Sequence, residues 1–214
     1  PGTGKTTIAR LISQYLKAIG ALSGGQLVEV TRADLVGRYV GHTAPLTTQV
    51  IQSALGGVLF IDEAYSLYRG KEDSFGLEAI DTLVKGMEDH RDNLVVILAG
   101  YTKEMQEFLS ANSGLRSRFP NQIEFPDYTG DELLQIALIT AEGKGYRIAE
   151  DCRSALLDYF TLVQASGSRD SGNGRLVRNK IEEAILNLSR RILAEPGTPL
   201  DLLTLRDFEL EPRP

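Results

Sequence analysis

The 214 residues, 42% hydrophobic and 24% charged, suffice for one domain, or for one core plus a small second unit, of ordinary globular composition. The formal net charge of −6 argues against a general nucleic-acid surface, and no apolar run approaches the ~20 residues of a membrane-spanning helix. A single cysteine, Cys152, excludes an internal disulfide and gives no support to an oxidising compartment, so the cytoplasm is expected; His42 and His90 are far apart and lack cysteine partners, which disfavours zinc.

The chain opens on Pro1-Gly2-Thr3-Gly4-Lys5-Thr6-Thr7, the last part of the phosphate-binding pattern G-x-x-x-x-G-K-[ST]. Gly4, Lys5 and Thr6 fill its final three places. The opening glycine would fall two residues before Pro1. The expectation is therefore a fragment of a longer protein, whose upstream part supplies that glycine and the strand feeding the loop. Gly2 and Gly4 let backbone N–H groups approach phosphate oxygens, and the helix start that follows favours negative charge. Lys5 would reach the β- and γ-phosphates of ATP, and Thr6 would ligate Mg²⁺. Ile8, Leu11, Ile12, Tyr15, Leu16 and Ile19 recur at helical spacing, with Gly20 placed to end the helix. Leu27-Val28-Glu29-Val30 reads as a strand, Ala33 to Gly41 as a loop or short helix, and Leu46, Val50, Ile51 and Leu55 as a helix capped by Thr43.

Val58-Leu59-Phe60-Ile61 is a continuous apolar run, the pattern of a central parallel strand covered on both faces. It ends in Asp62-Glu63, where open α/β sheets place their ligands. With a phosphate loop upstream, Asp62 is expected to hold Mg²⁺, and Glu63 to orient or deprotonate an attacking water. Tyr65 to Gly76 reads as an exposed loop and Leu77 to Met87 as a helix. Leu94 to Ala99 is a second fully apolar strand, Glu104 to Leu109 a short helix, and Gln122 to Phe125 a last strand. Strands alternating with helices predict a parallel α/β sheet.

From Pro126-Asp127 the pattern turns helical, and no further strand is expected. Helices are predicted from Thr129, from about Glu150 to Val163, and along the stripe Val177, Ile181, Ala184, Ile185, Leu188 and Ile192. Ser166 to Gly174 reads as a flexible polar loop, and the proline-rich tail trails off after Leu202 to Leu205. The expected division is an α/β core over 1–126 and a helical unit over 127–214. Arg175 and Arg178 lie in the first turn of the long helix, which Asn173 or Gly174 could cap. Cations there oppose the helix dipole, at about 0.3–1 kcal/mol each, and a nucleotide phosphate would resolve the conflict. Arg116 and Arg118 read either as surface charges or as an arginine finger acting on a neighbouring subunit's γ-phosphate.

Together these residues resemble the AAA+ ATPases, and more closely the CbbX/CfxQ-type branch with its rubisco activases, stage V sporulation protein K group and type VII secretion relatives. The stretches that carry the resemblance are Pro1–Thr7, Val30–Val36, Tyr39–Ala44, Gly56–Tyr65, Leu115–Phe119 and Gly172–Asn179. It implies a P-loop parallel-sheet core followed by a small all-helical lid. It makes Lys5 and Thr6 Walker A residues, and Asp62 and Glu63 Walker B residues. Arg118, with Arg116 as runner-up, is similar to the arginine finger, and Arg175, with Arg178 as runner-up, to sensor 2. Tyr39-Val40-Gly41 is similar to the pore loop that grips polypeptide in a hexamer's channel. The sensor-1 place reads Ala99-Gly100-Tyr101-Thr102, which leaves Tyr101 and Thr102 both open. The long helical insertion of the secretion relatives is absent.

The function implied is Mg²⁺-dependent ATP hydrolysis in a homo-oligomeric ring, a hexamer by family analogy, coupled to remodelling of a protein client. A nucleotide-switched scaffold with low turnover is the alternative. A nucleic-acid motor is disfavoured by the acidic balance and the aromatic pore loop.

Overall fold

The computed structural model describes residues 2–166 and 172–210. Packing divides the chain into two compact units. One is Lys5–Glu124; the other is Phe125–Pro214 together with Pro1–Gly4.

In the first unit, three strands form a parallel sheet in the order β1 (Leu27–Val30), β2 (Val58–Ile61), β3 (Val95–Leu98). Their register aligns Val30 with Ile61 and Ile61 with Leu98, so all three C-terminal ends lie on one edge. Every residue of β2 is buried, as its apolar run predicts. Residues alternate across it: Leu59 and Ile61 enter the main core, while Phe60 packs on the opposite face with Ala9 and Ala99. Residues of β3 are only half-buried, because β3 is the edge of the described sheet and pairs on one side alone.

Helix α1 (Lys5–Ala18) turns its small residues to the sheet. Ala9 and Ser13 are buried, whereas Ile8, Leu11, Tyr15 and Ile19 of the expected apolar face are exposed. A small-residue face lets the helix lie close on Phe60. Gly20, at φ 77°, ends the helix with the N–H of Ala21 bonded to the carbonyl of Leu16. The sheet's other face is covered by α2 (Arg32–Leu35), α3 (Thr43–Ala54) and α4 (Ser74–Asp89), which starts three residues before the expected Leu77.

Two local expectations are corrected. Thr43 is the first residue of α3, not its cap, because its hydroxyl is used to accept from the Gly37 N–H at 3.0 Å. Residues 122–125 form no strand. They find no ladder partner among the described residues, and Ile123 stands exposed. The segment before them folds as α5 (Thr102–Ala111) and α6 (Ser113–Arg118).

The second unit is a helical bundle of α7 (Gly130–Gly143), α8 (Cys152–Ala165) and α9 (Gly174–Ala194) around Leu133, Ala137, Leu156, Phe160, Ile181 and Leu188. Thr129 and Glu132 form a reciprocal capping box at the start of α7. Contrary to expectation, this unit contains a small sheet. Residues 147–148 (β4) pair in parallel with 202–203 (β5), where the segment after α9 returns alongside the chain after α7. That return is fastened by a two-pronged bond from Arg191 to buried Asp207, at 2.7 and 2.9 Å. Most of the loop expected at Ser166–Gly174, and the tail prolines Pro212 and Pro214, lie outside the described residues.

Candidate active site

The phosphate-binding reading rests first on backbone shape. Gly2 and Gly4 both adopt left-handed conformations, at φ 72° and 86°, on either side of Thr3. Alternating left-handed residues turn successive N–H groups to one side and form an anion-binding concavity. Thr3 Oγ1 is buried without a hydrogen-bond partner among the described residues, so a polar group remains to be satisfied inside this turn. Lys5 and Thr6 begin α1 directly after it, at the positive end of a helix whose first turn holds no acid. Both are half-buried. Two left-handed glycines, an orphaned hydroxyl, a lysine and a helix start form a donor set that fits a triphosphate. Thr7 is exposed, and Pro1 lies outside the described residues.

The carboxylate pair sits at the C-terminal edge of the sheet's middle strand. Asp62 N–H donates to the Val30 carbonyl at 2.9 Å, and Ala64 N–H donates to the Ala99 carbonyl at 3.0 Å, so both flanking strands pin the turn. Asp62 Oδ1 accepts from the Glu63 N–H at 3.0 Å. Between these anchors Glu63 is forced left-handed, φ 49° and ψ 46°, with its carboxylate exposed. A non-glycine residue held there costs about 1–2 kcal/mol and persists only where its surroundings over-determine it. One hydroxyl (Thr6) and one carboxylate (Asp62) match the way Mg²⁺ is held, with phosphate oxygens and waters completing its shell.

The turn has a support that sequence reasoning did not assign. Arg32 grips Asp73 with both guanidinium arms, at 2.7 and 3.1 Å, and donates to the carbonyl of Ser66 at 2.9 Å. Asp73 in turn accepts from the Gly76 N–H and caps α4. The Arg32 hydrogen bond, with help from Gly76, holds the Asp73 carboxyl below its usual range despite burial. The two residues lie 41 positions apart, a separation that periodicity cannot bridge. Tyr65 packs against Tyr101, ring centroids 6.2 Å apart, and burial together with Glu63 raises its hydroxyl pKa. Of the two sensor-1 candidates, Tyr101 therefore has its ring against Tyr65, while Thr102 opens α5.

The remaining expected residues are placed separately. Arg116 and Arg118 end α6. Arg118 donates to Glu88 at 2.9 Å and to the Gly114 carbonyl at 3.0 Å. Tyr39 and Val40 are 68% and 87% exposed, in a loop closed by the Gly37–Thr43 hydrogen bond and turned at Gly41, φ 83°. The His42 ring meets Tyr39 edge-on at 5.5 Å. In the second unit, Arg175 and Arg178 are exposed in the first turns of α9. Asn173, expected at most as a cap, makes no cap bond there; its side chain is buried in other contacts.

Among the described residues, no helix is long and apolar enough to cross a membrane. A family model described as the ATPase family associated with various cellular activities matches residues 1–127, and an AAA lid domain model matches 129–214. The chain is 49% identical over 212 residues to stage V sporulation protein K of Bacillus subtilis, covering 98% of this chain and 66% of that one. It is 46% identical to the chloroplastic ribulose bisphosphate carboxylase/oxygenase activase of Cyanidioschyzon merolae (96% and 71% covered) and 45% identical to CbbX of Cereibacter sphaeroides (96% and 66%). The chain thus spans about two thirds of the length of these relatives. Its fold is shared with the AAA domain of FIGL-1, at TM-score 0.64 and 22% identity, over 97% of this chain and 66% of that one. The chain belongs to the AAA family of ATPases, in the branch of the CbbX, CfxQ and stage V sporulation K proteins, as a nucleotide-binding core followed by its lid.

Proposed function

We propose that the chain is the motor of a ring-forming protein remodeller, which hydrolyses ATP with magnesium and draws a polypeptide client past Tyr39-Val40-Gly41. The observation that carries hydrolysis, over mere nucleotide holding, is Glu63. Its exposed carboxylate is fixed by a left-handed backbone directly after Asp62, at the end of the middle strand. In this reading the Gly2–Gly4 turn, Lys5 and the start of α1 bind the phosphates, with Pro1 and Thr7 completing the loop. Thr6 and Asp62 would hold a magnesium ion, which would supply neutralisation of phosphate charge. Glu63 orients or deprotonates the attacking water as its oxygen bonds to the terminal phosphorus and the bond from that phosphorus to the bridging oxygen breaks, releasing ADP and phosphate. Lys5 and a neighbouring subunit's Arg118, or Arg116, stabilise charge on the transferring group. Arg175, or Arg178, reports nucleotide state to the lid, and Tyr101 or Thr102 senses the water's neighbourhood.

The exposed Tyr39-Val40 pair supports a protein client, as does the relative named as a rubisco activase. The cytoplasm is the proposed compartment, and the ring is proposed as a homo-hexamer. In the full-length protein, Glu63→Gln should still bind ATP while turnover collapses; unchanged turnover would remove Glu63 from this role. One observation favours the switch-like alternative. Arg118 is already bonded to Glu88 of its own chain, so a finger in trans requires that pair to open. ATPase rate per subunit measured against protein concentration, with and without Arg118→Ala, decides between the two readings. A rate that rises with concentration and collapses in the variant supports the ring. A rate indifferent to both supports the switch.

A further inference from the structure

Asn173 is the second non-glycine residue held at positive φ, 44°, and it is fully buried. A buried polar side chain on a strained backbone needs a compensating set of partners, and Asn173 has them. Its Oδ1 accepts from the Tyr128 N–H at 2.9 Å and from Gln164 Nε2 at 3.0 Å. Its Nδ2 donates to Asp127 Oδ1 at 2.7 Å. One side chain thus joins the 127–128 segment, the end of α8 and the start of α9.

The two neighbours it fixes are those that hold the phosphate loop. The Tyr128 hydroxyl donates to the Thr3 carbonyl at 3.0 Å, and the Gly174 N–H donates to the Gly2 carbonyl at 2.9 Å. The fit is close. A Cβ on Gly2 would collide with the Gly172 carbonyl and lie 2.8 Å from the Arg175 nitrogen, and one on Gly174 would lie 2.8 Å from the Gly2 carbonyl oxygen. A loop that turns its N–H groups inward to phosphate turns carbonyls outward. Here two of those carbonyls are gripped from behind.

We propose that Asn173 is a positioning residue for the nucleotide. By locking Tyr128 and Gly174 onto the outward carbonyls of Gly2 and Thr3, it holds the loop's inward N–H groups ready for phosphate. This rests on the reading of Gly2–Thr6 as the nucleotide site. Loss of the lock weakens nucleotide binding, raising KM more than it lowers kcat.

The test measures the dissociation constant of a fluorescent ADP analogue, with kcat and KM for ATP, in the full-length protein. Asn173→Gly tolerates the backbone angle and deletes the side chain's hydrogen bonds, those to Asp127, Tyr128 and Gln164 among them; affinity should fall about tenfold. Asn173→Asp keeps shape and acceptor but sets a carboxylate against Asp127, with a similar loss; adding Asp127→Asn restores a donor facing an acceptor and should recover affinity to within about threefold of wild type. Phe160→Leu, in the core of the same unit, should lower the melting temperature and leave affinity unchanged, which a merely structural role for Asn173 would also do. Wild-type affinity in both Asn173 variants, or no recovery on adding Asp127→Asn, overturns the proposal. Should Asn173→Gly fail to fold, Tyr128→Phe removes one grip alone; about threefold weaker binding upholds the lock, and unchanged binding overturns it. If wild type itself binds no nucleotide, the nucleotide reading falls and takes the proposal with it. If wild type binds and hydrolyses ATP and the variants match it, only the proposal falls.

Discussion

Among the described residues, the α/β unit and the helical unit each hold one strained non-glycine residue, in opposite surroundings. Glu63 lies on the surface at the end of β2, with its backbone pinned by neighbouring strands and its carboxylate exposed. Asn173 is buried at the start of α9, with its side chain wholly engaged in joining three segments. In the first case the scaffold fixes a backbone and leaves the side chain exposed. In the second a side chain is consumed so that a backbone stays fixed. The proposed roles follow that difference in burial: chemistry for the exposed residue, positioning for the buried one.

The units also share an anchoring device. Each has one carboxylate gripped by both arms of an arginine while serving a helix start. Asp73 with Arg32 caps α4, and Asp207 with Arg191 completes the capping box at Thr204. The first joins the turn after the carboxylate pair to α4, and the second closes the chain's return onto the bundle. The same two-armed bond anchors a turn in one unit and the chain's return in the other.

The comparison is sharpest at Glu63. Glu63→Gln should lower the steady-state ATPase rate by about 10²–10⁴-fold while a fluorescent nucleotide still binds. A rate close to wild type would mean that the strained turn has no chemical role. Next in size are the two cores. Phe60→Ala and Phe160→Ala each delete a fully buried ring and should cost about 3–5 kcal/mol in denaturant melts. Two transitions, with each variant shifting only its own, would show that the units unfold independently.

Asp207→Ala leaves the Arg191 guanidinium buried without its partner and should cost about 3 kcal/mol; Asp73→Ala should cost somewhat less, since that pair is more exposed. Both carboxyls titrate below their ordinary values. For Asp207 burial works the other way, but Arg191 and Thr204 outweigh it. A depressed folded pKa gives stability that is complete above the unfolded value, about 3.9, and is lost as pH falls through the folded one. Melts at falling pH should therefore stay level down to about pH 4 and drop below it, and Asp207→Asn should flatten part of that drop. The smallest effect on turnover belongs to Tyr39→Ala, which should lose client remodelling out of proportion to ATP hydrolysis. Intact remodelling would remove Tyr39 from the mechanism.

The candidate site could be read from sequence because its signals are local. A glycine turn before a helix, an apolar run ending in two acids, and arginines at a helix start are each contained within about ten residues. The β2 strand was readable for the same reason, since burial on both faces leaves an unbroken apolar run. What was misread depends on partners distant in sequence. Residues 122–125 have strand-like character but no neighbour to pair with among the described residues, whereas Arg147–Ile148 lacks the pattern yet pairs, because the 202–203 segment comes back to it. In α1 the apolar stripe marked a helix correctly and named the wrong face, because close approach to Phe60 selects Ala9 and Ser13. Thr43 is the exception, misread although Gly37, which claims its hydroxyl, is only six residues away.

By itself, then, the sequence determined the class of fold and the family, and it named a glycine loop and two carboxylates as candidates to meet a nucleotide. These follow from periodicity, apolar runs and motif spacing, which act over one or two turns of chain. The tertiary structure alone decided that Glu63 is left-handed, that Arg32 reaches Asp73, and that Asn173 joins Asp127, Tyr128 and Gln164. Such contacts span from 9 to 46 positions of sequence and form only when burial makes an unpaired polar group costly.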